Sequence, residues 1–295
     1  MGLQSAGKTT LIKHIFEGKD WPELKNIEMT EFVDTFNYKY RGYLDITIFD
    51  AGGQKQFLES YFNEIWGSKI FSSVKIFFWV LDSSTPENFN KAKSKLKDCL
   101  EYLNKNSNNV LKYLILSKYD IHKMHSDEIV KNFEDFEFDA VFSISIPMQT
   151  ARKTICPIFD EIIESKFGNQ LNKLNKLINN IQKSEKFSLI MLINNLDGLK
   201  INFKSKNGEI IDDSIYKSYK SLLSSFDAAE KILDIPILNN YDFSITHFDN
   251  QFLFLYKINK NLVLISLIQD KNIKLAQILN KFENLQKEVL KCLKK

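Results

Sequence analysis

The chain has 295 residues, with 44% hydrophobic and 26% charged side chains and a formal net charge of +3. A charge that small excludes the concentrated basic face that nucleic-acid binders use. Three scattered cysteines, Cys99, Cys156 and Cys292, fit neither a disulfide framework nor a zinc site and read as reduced thiols of a cytoplasmic protein. Apolar runs such as Ile76–Leu81 and Leu262–Ile268 have strand length, well short of a bilayer span. The chain opens into a glycine-bearing loop, so no signal peptide is expected. The abundance of Asn, Lys and Ile reads as genome base composition.

In chain order, a helix is expected at Thr10–Phe16 and a strand at Leu44–Phe49. Val74–Leu81 is a nearly continuous apolar run, as suits a strand covered on both faces. Leu96, Leu100 and Leu103 share one face of a helix over Lys91–Leu103. Val110–Leu116 and Ala140–Ile146 read as further strands, and Ile155–Phe167 as a closing helix. This alternation predicts a doubly wound α/β domain over residues 1–167. Gly168-Asn169-Gln170 reads as a break, followed by an amphipathic helix over Leu171–Lys183. Strands are expected at Ser188–Asn194 and Leu199–Lys204, turning at Asp197-Gly198. A helix over Ser214–Leu233 precedes strands at Asp242–Phe248, Gln251–Ile258 and Asn261–Gln269, with turns at Asp249-Asn250 and Asn259-Lys260. Lys274–Leu293 closes the chain as a helix, which gives residues 168–295 an α+β order. Asn261–Gln269 reads equally as core or as part of an intersubunit sheet.

Gly2-Leu3-Gln4-Ser5-Ala6-Gly7-Lys8-Thr9 matches G-x-x-x-x-G-K-[ST] at every fixed position. Such a loop turns successive N–H groups toward phosphates, with Thr10 continuing into a helix whose N-terminus faces them. Lys8 reaches the β- and γ-phosphates, and Thr9 places its hydroxyl on Mg²⁺. A buried strand should run into Gly2, yet only Met1 precedes it. A misassigned start accounts for this most simply; a degenerate nucleotide site is the alternative. Met1-Gly2 does not read as a myristoylation signal, because residue 6 is Ala6.

Asp50-Ala51-Gly52-Gly53-Gln54 follows a strand in the D-x-x-G-Q pattern. Asp50 is expected to hold Mg²⁺ through water, Gly53 to offer its N–H to a γ-phosphate, and Gln54 to orient the attacking water. Ser117-Lys118-Tyr119-Asp120 resembles the [NT]-K-x-D guanine motif, with Ser at an atypical first position. Asp120 accepts from guanine N1–H and the exocyclic amine, a donor pair that adenine lacks. Lys118 lies along the base. Ser145 and Ile146 fall where the last base loop is expected. Thr30 is the candidate switch threonine and Mg²⁺ ligand, with Thr35 as competitor.

With those residues placed, Ile48–Phe62 and Ile70–Ser83 resemble Rag/Gtr-type small GTPases, and the paired glycines before Gln54 are similar to the A-type member. In that family the switch threonine falls on Thr30. The resemblance implies a C-terminal roadblock (longin-like) domain over 168–295, dimerisation through it with another Rag/Gtr-like GTPase, and a nucleotide-controlled role in nutrient or growth signalling. Homodimerisation stays open beside heterodimerisation. Arg41 and Arg152 are the only arginines and neither is an evident internal finger, so hydrolysis is expected to be slow without an activating partner. The competing expectation is a non-hydrolysing scaffold that works by dimerisation. His14, His122, His125 and His247 read as surface or loop residues. Trp66 and Phe71 read as core or as a nucleotide-sensitive face. Cys292 is poorly placed for prenylation, so any membrane contact is expected to be indirect.

Overall fold

The computed structural model describes residues 1–41, 44–54, 61–62, 64–121, 125–184, 187–194, 200–205, 243–248, 251–259, 262–268 and 275–293. The chain divides into two compact units, one of residues 1–38 and 45–160, the other of residues 39–44 and 161–295.

The first unit is mixed α/β. Helix α1 (Lys8–Glu17) leads to the single turn α2 (Trp21–Leu24), and β1 (Val33–Tyr40) and β2 (Leu44–Ala51) form a two-stranded sheet. After α3 (Glu64–Phe71), the strands β3 (Ile76–Asp82), β4 (Leu111–Ser117) and β5 (Ala140–Ser143) form a second sheet in the order β3-β4-β5. Both pairings in it are parallel, with Asp82 opposite Ser117 and Leu116 opposite Ser143. Parallel strands need crossover helices, which bury both faces of the sheet. Helix α4 (Phe89–Asn106) supplies one cover, burying Leu96, Cys99 and Leu103 against Trp79, Leu114 and Leu116. Helix α5 (Ser126–Asn132) adds Ile129 to the same core. The register brings the carboxyl ends of β3 and β4 together, where open α/β sheets bind ligands.

Met1 runs along the free edge of β3. Its amino group donates to Phe78 O at 2.8 Å, and Val80 N–H donates to Met1 O at 2.8 Å. The approach is so close that a Cβ on Gly2 would lie 2.1 Å from Val80 O. Glycine is therefore required where the chain leaves β3 for the loop.

Four readings change here. The helix expected to break at Gly168 is a single helix, α6 (Thr150–Ser184). A lone glycine costs a helix only about 1 kcal/mol, and the flanking Leu174 and Ile178 are fully buried, which outweighs it. The strand expected to reach Ile146 stops at Ser143, because the chain turns as Ser145 and Thr150 exchange main-chain and hydroxyl hydrogen bonds. β1, not foreseen, carries the alternating pattern of Phe36, Tyr38 and Tyr40. His14 is buried in α1 rather than at the surface, with Nδ1 2.7 Å from Lys19 O.

The second unit has a five-stranded antiparallel sheet in the order β7-β6-β10-β9-β8. Its strands are β6 (Phe187–Asn194), β7 (Lys200–Ser205), β8 (Phe243–Phe248), β9 (Gln251–Asn259) and β10 (Leu262–Ile268). The central β10 pairs with β6 and β9, and both of its faces are apolar. On one face Leu189, Met191, Ile193, Leu255, Val263 and Ile265 form a buried cluster. On the other, helix α7 (Leu275–Leu293) inserts Phe282 against Phe187, Phe254 and Tyr256, with ring centroids 5.5–6.0 Å apart. Gln286 fixes α7 further along by donating to Ile258 O at 2.7 Å and accepting from Tyr256 Oη at 3.2 Å. The helix expected at 214–233 and the turns at 197–198, 249–250 and 259–260 lie wholly or partly outside the described residues. Among the described residues, no helix is long and apolar enough to cross a membrane.

Candidate functional site

The loop from Gly2 to Gly7 curls through positive φ at Gly2 (145°), Ser5 (61°) and Gly7 (84°). Gly7 in the left-handed region caps α1, so the helix begins at Lys8 and its first N–H groups face the loop. Lys8 is buried and donates from Nζ to Leu3 O at 2.9 Å, which folds its side chain back over the loop. Burial pulls its pKa down to about 8, and the nearby Asp50 charge partly opposes that shift.

Thr9 Oγ1 donates to Asp50 Oδ2 at 2.5 Å and lies 2.9 Å from Thr30 Oγ1. Thr30 Oγ1 is in turn 3.2 Å from the same carboxylate oxygen. Three segments far apart in sequence thus place two hydroxyls and a carboxylate together. Asp50 is buried, and its Oδ1 has no hydrogen bond among the described residues. A buried carboxylate oxygen without a partner is costly unless something binds it. Hard oxygen donors of this kind suit Mg²⁺, so the residues present fit that ion. The competitor Thr35 lies on β1 with an exposed side chain.

Gly52 and Gly53 close against the phosphate loop. Gln4 N–H donates to Gly53 O at 3.0 Å. A Cβ on Gly53 would fall 2.2 Å from Leu3 C and Gln4 N, so no larger residue fits. The Gln4 side chain crosses to the segment before Thr30, donating from Nε2 to Met29 Sδ at 3.1 Å.

At the other end, Ser117 Oγ lies 2.7 Å from Ala6 O and 3.0 Å from Leu81 O. The atypical serine therefore joins the phosphate loop to β3 and β4. Lys118, with a left-handed φ of 57°, pairs with Asp82 at 2.6 Å. Asp120 is exposed. Ser145 is buried and accepts Met148 N–H at 3.1 Å.

A cavity of about 580 Å³ joins these parts. Gln4, Ser5, Gly7, Lys8, Thr9 and Thr10 line one end of it, with Thr30, Gly53 and Gln54 beside them. Ser117, Lys118, Asp120 and Ile146 line the other end, with Ile144 and Pro147. Gly2, Ala6, Asp50 and Ser145 are not among the lining residues; they are buried in the layer that supports it. Sequence reasoning missed Asp82, the partner of Lys118. Its signal was an acid ending an apolar strand, in register with Ser117. It also missed Trp21, Leu24 and Met29 on the cavity wall, which no motif marks.

A family model described as the Gtr1/RagA G protein conserved region matches residues 1–156. The chain is similar to "Ras-related GTP-binding protein A" of Dictyostelium discoideum, at 28% identity over 135 residues, 45% of this chain and 44% of that protein. It is similar to "GTP-binding protein GTR1" of Saccharomyces cerevisiae, at 22% identity over 312 aligned positions, 97% of this chain and 94% of that protein. The match to "GTP-binding protein gtr1" of Schizosaccharomyces pombe is 24% identical over 166 residues, 55% of this chain and 51% of that protein. Two of these three alignments thus span about half the relative's length or less. Among solved structures, Myxococcus xanthus MglB is similar over 42% of this chain and 92% of its own, at 14% identity and a TM-score of 0.36. The profile match takes in the phosphate loop, the Asp50–Gln54 turn and Ser117–Asp120 together, and this chain belongs to the Gtr1/RagA G-protein family.

Proposed function

We propose that the chain binds GTP and GDP with Mg²⁺, hydrolyses GTP slowly, and serves as a nucleotide-controlled switch. The observation that carries this reading is the Thr9–Thr30–Asp50 cluster beside buried Lys8. Thr9, Thr30 and Asp50 would hold the ion, whose charge offsets that building up between the β- and γ-phosphates. Lys8 exchanges its bond to Leu3 O for phosphate oxygens. Gly53 N–H meets the γ-phosphate, and Gln54 orients a water for in-line attack. Asp120 selects guanine, because an adenine base would leave its carboxylate without donors. Arg152 gives both Nε and Nη2 to His14 O, at 3.0 and 2.8 Å, and so is not available as an internal finger. Hydrolysis then waits on an activating partner.

The second unit serves pairing with another Rag/Gtr-like GTPase, hetero- or homodimeric, and the family resemblance supports a role in nutrient or growth signalling. The protein works in the cytoplasm and reaches a membrane surface only through partners.

Single-turnover hydrolysis of GTP by wild type and Gln54→Leu tests this. Slow phosphate release by wild type, reduced at least about tenfold in the variant, is expected. Tight GTP binding with equal rates in both proteins would instead support a non-hydrolysing scaffold.

A further inference from the structure

Two residues past Thr30, the carbonyl of Phe32 accepts the N–H of Gly52 at 2.6 Å. Gly52 itself lies two residues past Asp50 and directly before Gly53. The hydroxyl of Tyr61 closes a triangle on this bond, 2.8 Å from Phe32 O and 3.1 Å from Gly52 O. Tyr61 is fully buried, and desolvation raises its pKa well above the ordinary phenol range, so the hydroxyl remains a donor. It has one proton, which the two carbonyls share. The rings reinforce the joint: Phe32 lies 5.2 Å from Tyr61 and meets Trp66 edge-on at 4.7 Å.

We propose that Tyr61 is a positioning residue that couples the Thr30 segment to the Gly52–Gln54 segment, so that the two close as one around a nucleoside triphosphate. The proposal rests on the switch reading above. A ligand shifts a conformational equilibrium only by its differential affinity for the two states. The γ-phosphate rewards the closed arrangement of both segments, and GDP does not. The Tyr61 hydroxyl belongs to the closed arrangement, so its loss penalises GTP and spares GDP. Tyr102 offers a matched control. Its hydroxyl donates to Phe62 O and touches neither segment.

The test is equilibrium binding of GDP and of a non-hydrolysable GTP analogue to the full chain with Mg²⁺, for wild type, Tyr61→Phe and Tyr102→Phe. Tyr61→Phe keeps the ring. Its affinity for the GTP analogue is expected to fall roughly 5- to 10-fold, the worth of one buried hydrogen bond, with GDP affinity within about 2-fold of wild type. Tyr102→Phe should leave the ratio of the two affinities unchanged. An unchanged ratio in Tyr61→Phe overturns the proposal. So does an equal loss for both nucleotides, or loss of GDP binding altogether, since the role is then one of folding. An equal ratio shift in Tyr102→Phe overturns it too. Failure of the wild type to bind either nucleotide overturns the switch reading itself, and the proposal with it.

Discussion

At the end of the cavity proposed for phosphate the polar side chains already have partners within the protein. Lys8 bonds to Leu3 O, Thr9 and Thr30 converge on Asp50, and Gln4 reaches Met29. At the base end the supporting bonds lie behind the wall, where Ser117 joins Ala6 O to Leu81 O and Lys118 pairs with Asp82. Asp120, which would meet the base, is exposed and has no hydrogen bond among the described residues. A nucleotide bound as proposed would displace existing bonds at one end and add new ones at the other. The phosphate end should set how tightly any nucleotide binds, and the base end which one.

The largest effect should come from Lys8→Ala, which removes a buried cation from a diphosphate. Affinity for GDP and GTP alike should fall about 100-fold or more in a fluorescent-nucleotide titration. Binding equal to wild type would break the comparison at its stronger end. Asp50→Ala comes next. Chelating Mg²⁺ should speed GDP release from wild type about tenfold or more, the scale of a charged contact, and should change the variant little. A wild-type release rate indifferent to chelation would remove the metal assignment.

Ser117→Ala sharpens the base end. It strips a buried donor from two main-chain carbonyls and should cost about 1–3 kcal/mol of stability in denaturant unfolding. It should also bring faster release of every nucleotide, because Ala6 belongs to the phosphate loop. A loss of guanine preference without a stability change would reassign Ser117 from brace to base contact. The smallest pair is Thr30→Ala against Thr35→Ala. The first should weaken binding of a GTP analogue more than of GDP, and the second should change neither. A reversal would exchange their roles.

These differences follow what was legible beforehand. Gly2–Thr9, Asp50–Gln54 and Ser117–Asp120 were readable because phosphate and base chemistry demand fixed residue types at fixed spacings. The family resemblance favours Thr30 over Thr35; the fold puts Thr30 beside Thr9 and Asp50 and leaves Thr35 exposed on β1, which supports that choice. Asp82 left only a faint mark, an acid closing an apolar strand, because its pairing with Lys118 exists only once β3 meets β4. Tyr61 left none, because its partners are the main-chain carbonyls of Phe32 and Gly52. Main-chain acceptors leave no mark in a sequence. β1 left a weaker mark than the other strands, because Phe36 and Tyr38 are only partly buried and alternate with polar residues instead of forming an apolar run. Gly168 misled because a residue that often ends helices was outweighed by the buried Leu174 and Ile178. The second unit was legible only as an order of elements. Its apolar strands declare their periodicity, but pairing order, with β10 central, depends on partners distant in sequence.

Base selection by Asp120 gives the most direct measurement of whether these segments form one guanine-nucleotide site. Competition among GDP, ADP and xanthosine diphosphate should be run on wild type and Asp120→Asn. Wild type should prefer GDP over both rivals by at least about 100-fold, since a site built for the guanine donor pair rejects bases without it. The variant should move its preference to xanthosine diphosphate. GDP preference unchanged in Asp120→Asn, or no wild-type discrimination against ADP, would contradict the assignment.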